Sequence, residues 1–219
     1  MADTLDFAAS LLAFLLIRHK SLGLSDPALL DGLTVLPGCR PAGRHFKTTD
    51  KSAGLSVAQL SRLVEADWTG SNNINSNNNT TMQAHKGYYI TGRLNTTIYR
   101  DDCLFTGPDP DMPVKGLRKY LSASAQLFDS KSSYAILHSI QYDDSGGERQ
   151  CGIITVYWTL GGIINLPWHP MVDPWSGWTR YHVDEGGLIY YHEEGWDESV
   201  LRIFLGVVFP VVRYVDFNV

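Results

Sequence analysis

From residue 57, apolar side chains recur three and four apart: Val57, Leu60, Leu63, Val64 and Trp68. That spacing predicts an amphipathic helix. Ser56 stands just before it and Gln59 three residues later, the capping-box pair that starts a helix. Ile90, Leu94 and Ile98, each four apart, predict a second helix ending near Tyr99. Asp102 to Phe105 reads as a short strand, and Pro108, Pro110 and Pro113 exclude a helix directly after it. A third helix is expected with Leu117, Tyr120, Leu121, Leu127 and Phe128 on one face. The period then changes to two. Tyr134 to Tyr142, Gln150 to Leu160, Trp175 to Val183 and Leu188 to Glu194 read as strands, with 143–147 and 184–187 as hairpin turns. Helices first and an antiparallel sheet afterwards predict an α+β fold.

The remaining segments carry no such period. Residues 1–54 read as an N-terminal extension and linker, rich in turn chemistry from Pro37 to Gly43. Residues 55–199 form the expected domain, and 200–219 a mostly apolar C-terminal tail. Within the domain, 71–81 is an Asn-rich stretch with too little to bury, expected to be disordered. The apolar run Phe7 to Ile17 is shorter than the roughly 20 residues that span a bilayer, so no transmembrane segment is expected. Asp3 and Asp6 precede it where a signal peptide carries positive charge, and they equally oppose a transit peptide.

Composition narrows the chemistry. Acidic residues outnumber basic ones, 23 against 18, with no long basic run, so nucleic acid is not an expected partner. The three cysteines Cys39, Cys103 and Cys151 are widely spaced and form no CxxC pair. This argues against a zinc ribbon or a disulfide framework and points to buried thiols in a soluble, reducing intracellular compartment. No metal site and no cofactor are expected.

The turn at 184–187 sets a register for the last hairpin. If Val183 opposes Leu188, then Tyr181 opposes Tyr190 and Thr179 opposes His192. Those six side chains share one face, taken as the inner one. Arg180, His182 and Glu193 then face outward. An inward imidazole beside phenol hydroxyls has a general acid–base group's chemistry, and His192, Tyr181 and Tyr190 are the candidates. A core histidine satisfied by those same hydroxyls is the competing reading. Trp158, Trp168, Trp175 and Trp178 surround the segment from Gly161 to Pro174, read as a long stiff loop. If it covers a cavity mouth, Trp168 and His169 meet a bound ligand. Trp158, Thr179, Phe105 and Tyr99 complete the candidate ligand-binding set.

Two stretches carry a family resemblance. One is Tyr99-Arg-Asp-Asp-Cys-Leu-Phe-Thr-Gly-Pro-Asp-Pro-Asp with Gly116-Leu-Arg-Lys-Tyr120. The other is Leu166-Pro-Trp-His-Pro170, Ser176-Gly-Trp-Thr-Arg-Tyr181, Gly187-Leu-Ile189 and Trp196-Asp197. With the helical start, they resemble the nuclear transport factor 2-like superfamily. Within it they resemble a SnoaL-like, uncharacterised branch found in photosynthetic organisms. The resemblance implies a cone-shaped, curved antiparallel sheet packed on three N-terminal helices, enclosing a pocket. It also makes a plastid location and a homodimer expectations. Isomerase-like members keep a catalytic Asp just before the Pro after the first short strand; here that position is Gly107, and Asp109 is the nearest acid. Thr179 stands where a second acid would be. The missing acids favour a domain binding a small hydrophobic ligand or a protein partner in its cone. The alternative is a cofactor-free isomerase, cyclase or dehydratase acting on a polyketide- or terpenoid-like substrate by His/Tyr proton transfer.

Overall fold

The computed structural model describes residues 40, 50–70, 86–108, 113–124, 127–143 and 151–208. The chain divides into two units: residues 1–38 with Leu166–Trp168, and residues 39–165 with 169–219. Every regular element described belongs to the second. The Asn-rich stretch, Asp109, most of the 143–147 turn and of the N-terminal extension, and the tail beyond 208 lie outside the described residues.

Helix α1 (Val57–Thr69) begins where the capping box predicts: Gln59 N–H donates to Ser56 Oγ, and Ser56 N–H donates to the Gln59 side chain. It buries Val57, Leu60, Val64 and Trp68, and ends at Gly70, whose φ of 72° suits a residue without Cβ. The second expected helix is not continuous. Helix α2 covers only Tyr88–Thr91, closes at left-handed Gly92, and is followed by a 3₁₀ turn at Thr96–Ile98. The spacing of Ile90, Leu94 and Ile98 reports burial of all three, not one helix. Strand β1 (Tyr99–Thr106) and the two-residue β2 (Val114–Lys115) precede helix α3 (Leu117–Ser124). Leu127 and Phe128 fall beyond α3, and Phe128 bridges Ile164.

Strands β3 (Tyr134–Asp143), β4 (Gly152–Ile163), β5 (Met171–Val183) and β6 (Ile189–Trp196) complete the sheet. The order is β2-β1-β6-β5-β4-β3. The sheet is curved and mixed, not wholly antiparallel, because β1 runs parallel to β6. Along β4, Ile154, Val156, Trp158 and Leu160 alternate inward. Helix α1 packs on β3 and β4, and α3 on β1 and β2. The apolar residues after 199 begin a helix, α4 (Val200–Val208), which meets β5. No helix among the described residues is long and apolar enough to cross a membrane.

Two local readings change. The expected long loop from Gly161 to Pro174 is mostly strand, leaving 164–170 as the connection. Pro174 sits in a register shift, where Leu160 pairs with Trp175 and Gly162 with Val172. A proline lacking an N–H is tolerated at such a bulge. Cys103 is a free, buried thiol as expected, whereas Cys151 is disulfide-bonded, against that expectation. Pairing requires two cysteines to meet in space, which spacing along a chain does not reveal.

The entry to α2 depends on close backbone approach. A Cβ on Gly87 would run into the Trp68 carbonyl, and backbone cannot move aside as a side-chain tip can. Gly87→Ala is expected to destabilise the domain by roughly 1–3 kcal/mol, as overpacking does. Urea denaturation would read this as a lower midpoint at unchanged slope. A midpoint equal to the parent's would mean that the two backbones are not in contact.

Candidate functional site

The β5–β6 register decides which side chains share the inner face. Tyr181 pairs with His192, Thr179 with Glu194 and Gly177 with Trp196, while Val183 pairs with Ile189. The expected pairing is therefore shifted by two residues, with an irregularity between His182 and Val183. A two-residue shift preserves sidedness, so Thr179, Tyr181 and His192 stay inward. The irregularity takes up Tyr190. Its ring lies 6.2 Å from that of His182, and Arg40 sits 5.2 Å from its centroid. Tyr190 is thus removed from the group around His192. The turn itself holds as read: Asp184 Oδ1 accepts from the N–H groups of Gly186 and Leu188.

Around His192 the inner face is aromatic. Tyr181 meets the imidazole edge-on at 5.0 Å, and Phe105 and Tyr120 lie 5.1 and 5.5 Å away. Tyr120 stacks on Phe105 at 3.9 Å. Tyr99 touches both Phe105 and Tyr181. Above them, Trp68, Tyr88, Tyr89 and Trp158 form a continuous ring cluster. Trp68 Nε1–H donates to Tyr181 Oη at 2.8 Å, and Trp158 Nε1–H donates to Thr179 Oγ1 at 2.9 Å. Tyr88 Oη lies 3.4 Å from Tyr181 Oη and 3.2 Å from His192 Nε2.

Glu194 supplies a carboxylate one level along, accepting from Trp196 Nε1–H at 3.0 Å. The residue keeps partial exposure, as do Tyr120 and Trp196. Protein nevertheless surrounds its carboxyl closely enough that burial raises the pKa, against the nearby Tyr89 hydroxyl and the Trp196 hydrogen bond, which lower it. Tyr89 is raised well above 10, by burial first and then by the Glu194 charge. Its hydroxyl feels that carboxylate but closes no hydrogen bond of ordinary geometry.

The sequence-nominated residues thus separate. Tyr99, Phe105, Trp158, Thr179, Tyr181 and His192 come together. His169 is exposed at a φ of 43° in the β4–β5 connection, and Trp168 belongs to the other unit. Trp68, Tyr88, Tyr89, Tyr120 and Glu194 were not nominated. Glu194 was within reach of the alternation that placed His192 inward, since it lies two residues on. The tyrosines came from helices, where nothing in the spacing names the strand they face. Among the described residues, no cluster has the makings of a metal site.

His192 is 1% exposed, and burial pulls its pKa down to about 3. The native imidazole is therefore neutral where the unfolded one, near 6.5, takes up a proton. The unfolded state binds more protons between those values, so stability falls as pH drops from about 6.5 toward about 3. Melting temperatures across that window should decline less steeply in His192→Gln than in the parent. Parallel curves would place the imidazole in contact with water.

The family model described as "Uncharacterized conserved protein (DUF2358)" matches residues 81–192. No curated protein matches the sequence. Among solved structures, the chain is similar to a hypothetical protein with a ketosteroid isomerase-like fold from Catenulispora acidiphila, in complex with trimethylamine. The identity is 11%, covering 71% of this chain and 96% of that one, with a TM-score of 0.43. It is similar to a phenazine biosynthesis-related protein from Pseudomonas aeruginosa, at 15% identity over 74% and 96% of the two chains, TM-score 0.38. It is also similar to a SnoaL-like family protein from Agrobacterium tumefaciens, at 14% identity over 64% and 97%, TM-score 0.37. At such identities the likeness is one of fold, and no activity is carried over from it. The match over residues 81–192 runs from before α2 into β6, including Tyr88, Phe105, Tyr181 and His192 but not Trp68 or Glu194, and the chain belongs to the uncharacterized conserved proteins of DUF2358.

Proposed function

We propose that this domain binds a small, ring-bearing apolar molecule on the inner face of its sheet, beside Glu194. The observation that carries the reading is the gradient along that face. His192, Tyr181 and Trp68 are sealed, whereas Tyr120, Trp196 and Glu194, one level along, keep exposure. Aromatic side chains supply large, rigid contact area for a flat apolar partner. A histidine with a pKa of about 3 is a poor base at neutral pH, which weakens proton transfer through His192. Tyr181 is no better as an acid, since burial raises it well above 10.

A second reading has one observation in its favour. Glu194 is the inward acid whose pKa moves toward neutrality, so cofactor-free isomerisation, cyclisation or dehydration would run through Glu194 rather than His192.

Binding and pH are linked through the same carboxyl. An apolar ligand beside Glu194 removes further water and favours its protonated form, so binding should take up a proton. Affinity for the neutral probe N-phenyl-1-naphthylamine should therefore rise as pH falls through the raised Glu194 pKa. Glu194→Gln should flatten that dependence while retaining affinity. Native mass spectrometry of the purified protein should show a co-purifying apolar molecule. No probe binding at any pH would sink the reading. If a substrate is found, a fall in turnover of roughly 10²-fold or more in Glu194→Gln would select the catalytic alternative.

A further inference from the structure

On the face of the sheet opposite His192, an imidazole and two hydroxyls are joined by short hydrogen bonds. Strand β3 is an edge of the sheet and pairs only with β4 among the described residues. Its register breaks at one place. Leu137 pairs with Trp158 and Ser139 with Tyr157, which leaves His138 between them outside the ladder. An extra residue of this kind is a bulge, and bulges re-aim side chains. Here the bulge turns the His138 ring onto β4, where Nε2 lies 2.7 Å from Thr159 Oγ1. Thr159 Oγ1 lies 2.7 Å from Ser176 Oγ on β5, its partner in the β4–β5 register. His138 is exposed, and Thr159 and Ser176 are half-buried, so the line is open to solvent. Two residues along the strands, roughly 7 Å away, lies an aromatic surface. Tyr157, 39% exposed, pairs with Trp178. Trp178 pairs in turn with Gly195, where a Cβ would stand 2.4 Å from the indole Cε2. The glycine lets the ring lie against β6.

We infer that Ser176 is a nucleophile, activated through Thr159 by His138, and that it takes the acyl group from an ester of an aromatic alcohol. The Ser176 proton passes to Thr159 as the Thr159 proton passes to His138 Nε2. Ser176 Oγ bonds to the ester carbonyl carbon, and the bond from that carbon to the aryl oxygen breaks. The aryl oxide leaves and takes the proton back along the same line. Water then hydrolyses the acyl-serine to the free acid, and Ser176 regains its proton. This order of donors puts the imidazole proton on Nδ1, which an exposed ring can turn to solvent. Tyr157 and Trp178 give the aromatic part of the ester a rigid surface to lie on. Thr159 is a positioning residue, since it links base to nucleophile. The site is independent of the ligand proposed beside Glu194, which stands on the inner face opposite Thr179.

Two probes test this on the full chain: 4-nitrophenyl acetate, read by released nitrophenolate, and an alkyl fluorophosphonate, read by peptide mass mapping. With the second, a bond from Oγ to phosphorus forms and fluoride leaves. The parent should hydrolyse the ester faster than buffer alone, and the phosphonyl group should map to Ser176. Ser176→Ala should abolish both signals. His138→Gln should slow labelling roughly 10²-fold, the usual loss when a general base is removed. Thr159→Val keeps the shape of the side chain but breaks the line, and should slow labelling as much. Thr159→Ser restores the hydroxyl and should recover most of the rate, which a loss of folding could not mimic. A parent in which Ser176 stays unlabelled overturns the inference. Equal labelling rates in the parent and His138→Gln overturn it too, and reduce the three side chains to a polar ladder between strands. Binding of N-phenyl-1-naphthylamine should be the same in Ser176→Ala as in the parent. Labelling of Ser176 without any binding of that dye would remove the ligand proposal and leave this one standing.

Discussion

The indole N–H of Trp68 has no route to water, and Tyr181 Oη is the acceptor that allows it to be buried. That single bond ties α1 to β5. Tyr181 in turn orients Tyr88 on α2, and Tyr88 orients His192 on β6. Four elements therefore share one chain of neutral hydrogen bonds in surroundings of low dielectric. Such a chain is strong when every member is paired and costly when one is not. The rings that carry these groups also fill the core, so packing and polarity impose the same geometry. Trp68 rests against Tyr88, Tyr89 and Trp158 while its N–H points at Tyr181.

The sheet keeps Arg180, His182 and Glu193 on the face away from this chain. On β5 and β6 the outward residues pair among themselves. Glu193 lies 3.8 Å from Arg180 and 3.5 Å from His182, and Arg180 also covers the Trp178 ring. Glu193 is held below its usual pKa, first by the neighbouring His182 ring. His182 and His192 are thus one strand apart and opposite in character, one beside a carboxylate and the other among rings. At the far end of the sheet, Arg100 joins Asp102 and Asp184, fixing the β5–β6 turn to β1. Anchoring that turn fixes where β6 begins, and so which of its side chains point inward.

How much of this was legible follows from the reach of each signal. The cap at Ser56, the burial of Trp68 and the four later strands were readable because their patterns are local. The inward placement of Tyr181 and His192 was readable because alternation survives a two-residue shift. Tyr190 was misplaced because an irregularity in pairing leaves no mark on hydrophobic period. The second helix was over-extended because a spacing of four records burial on any winding path. Gly92, in the left-handed region, was the stop signal within it. The disulfide at Cys151 and the parallel pairing of β1 with β6 depend on which distant segments meet, and no window of sequence contains that.

The position of the inward acid follows from the same geometry. Thr179 occupies the place where the family resemblance leads one to expect a carboxylate, and its hydroxyl is already engaged by the Trp158 N–H. An acid there would face that same indole, and the ring has little freedom to move. Trp158 lies where a Cβ on Gly177 would stand only 2.8 Å from its Cζ2. The carboxylate at this level of the sheet comes instead from across the ladder, from Glu194, the partner of Thr179. There it meets a second indole N–H, from Trp196, and the ring of Tyr89. On this face the Trp158 N–H donates to Thr179 and the Trp196 N–H to Glu194, two residues earlier on the same strand, whereas Trp175 Nε1, buried beside Trp196, has no hydrogen-bond partner among the described residues. The level of Glu194 thus combines a carboxyl pushed toward its neutral form with a buried donor, Trp175 Nε1–H, that has no hydrogen-bond partner among the described residues. Polar capacity left over inside an otherwise apolar face is what the proposed apolar occupant would have to satisfy.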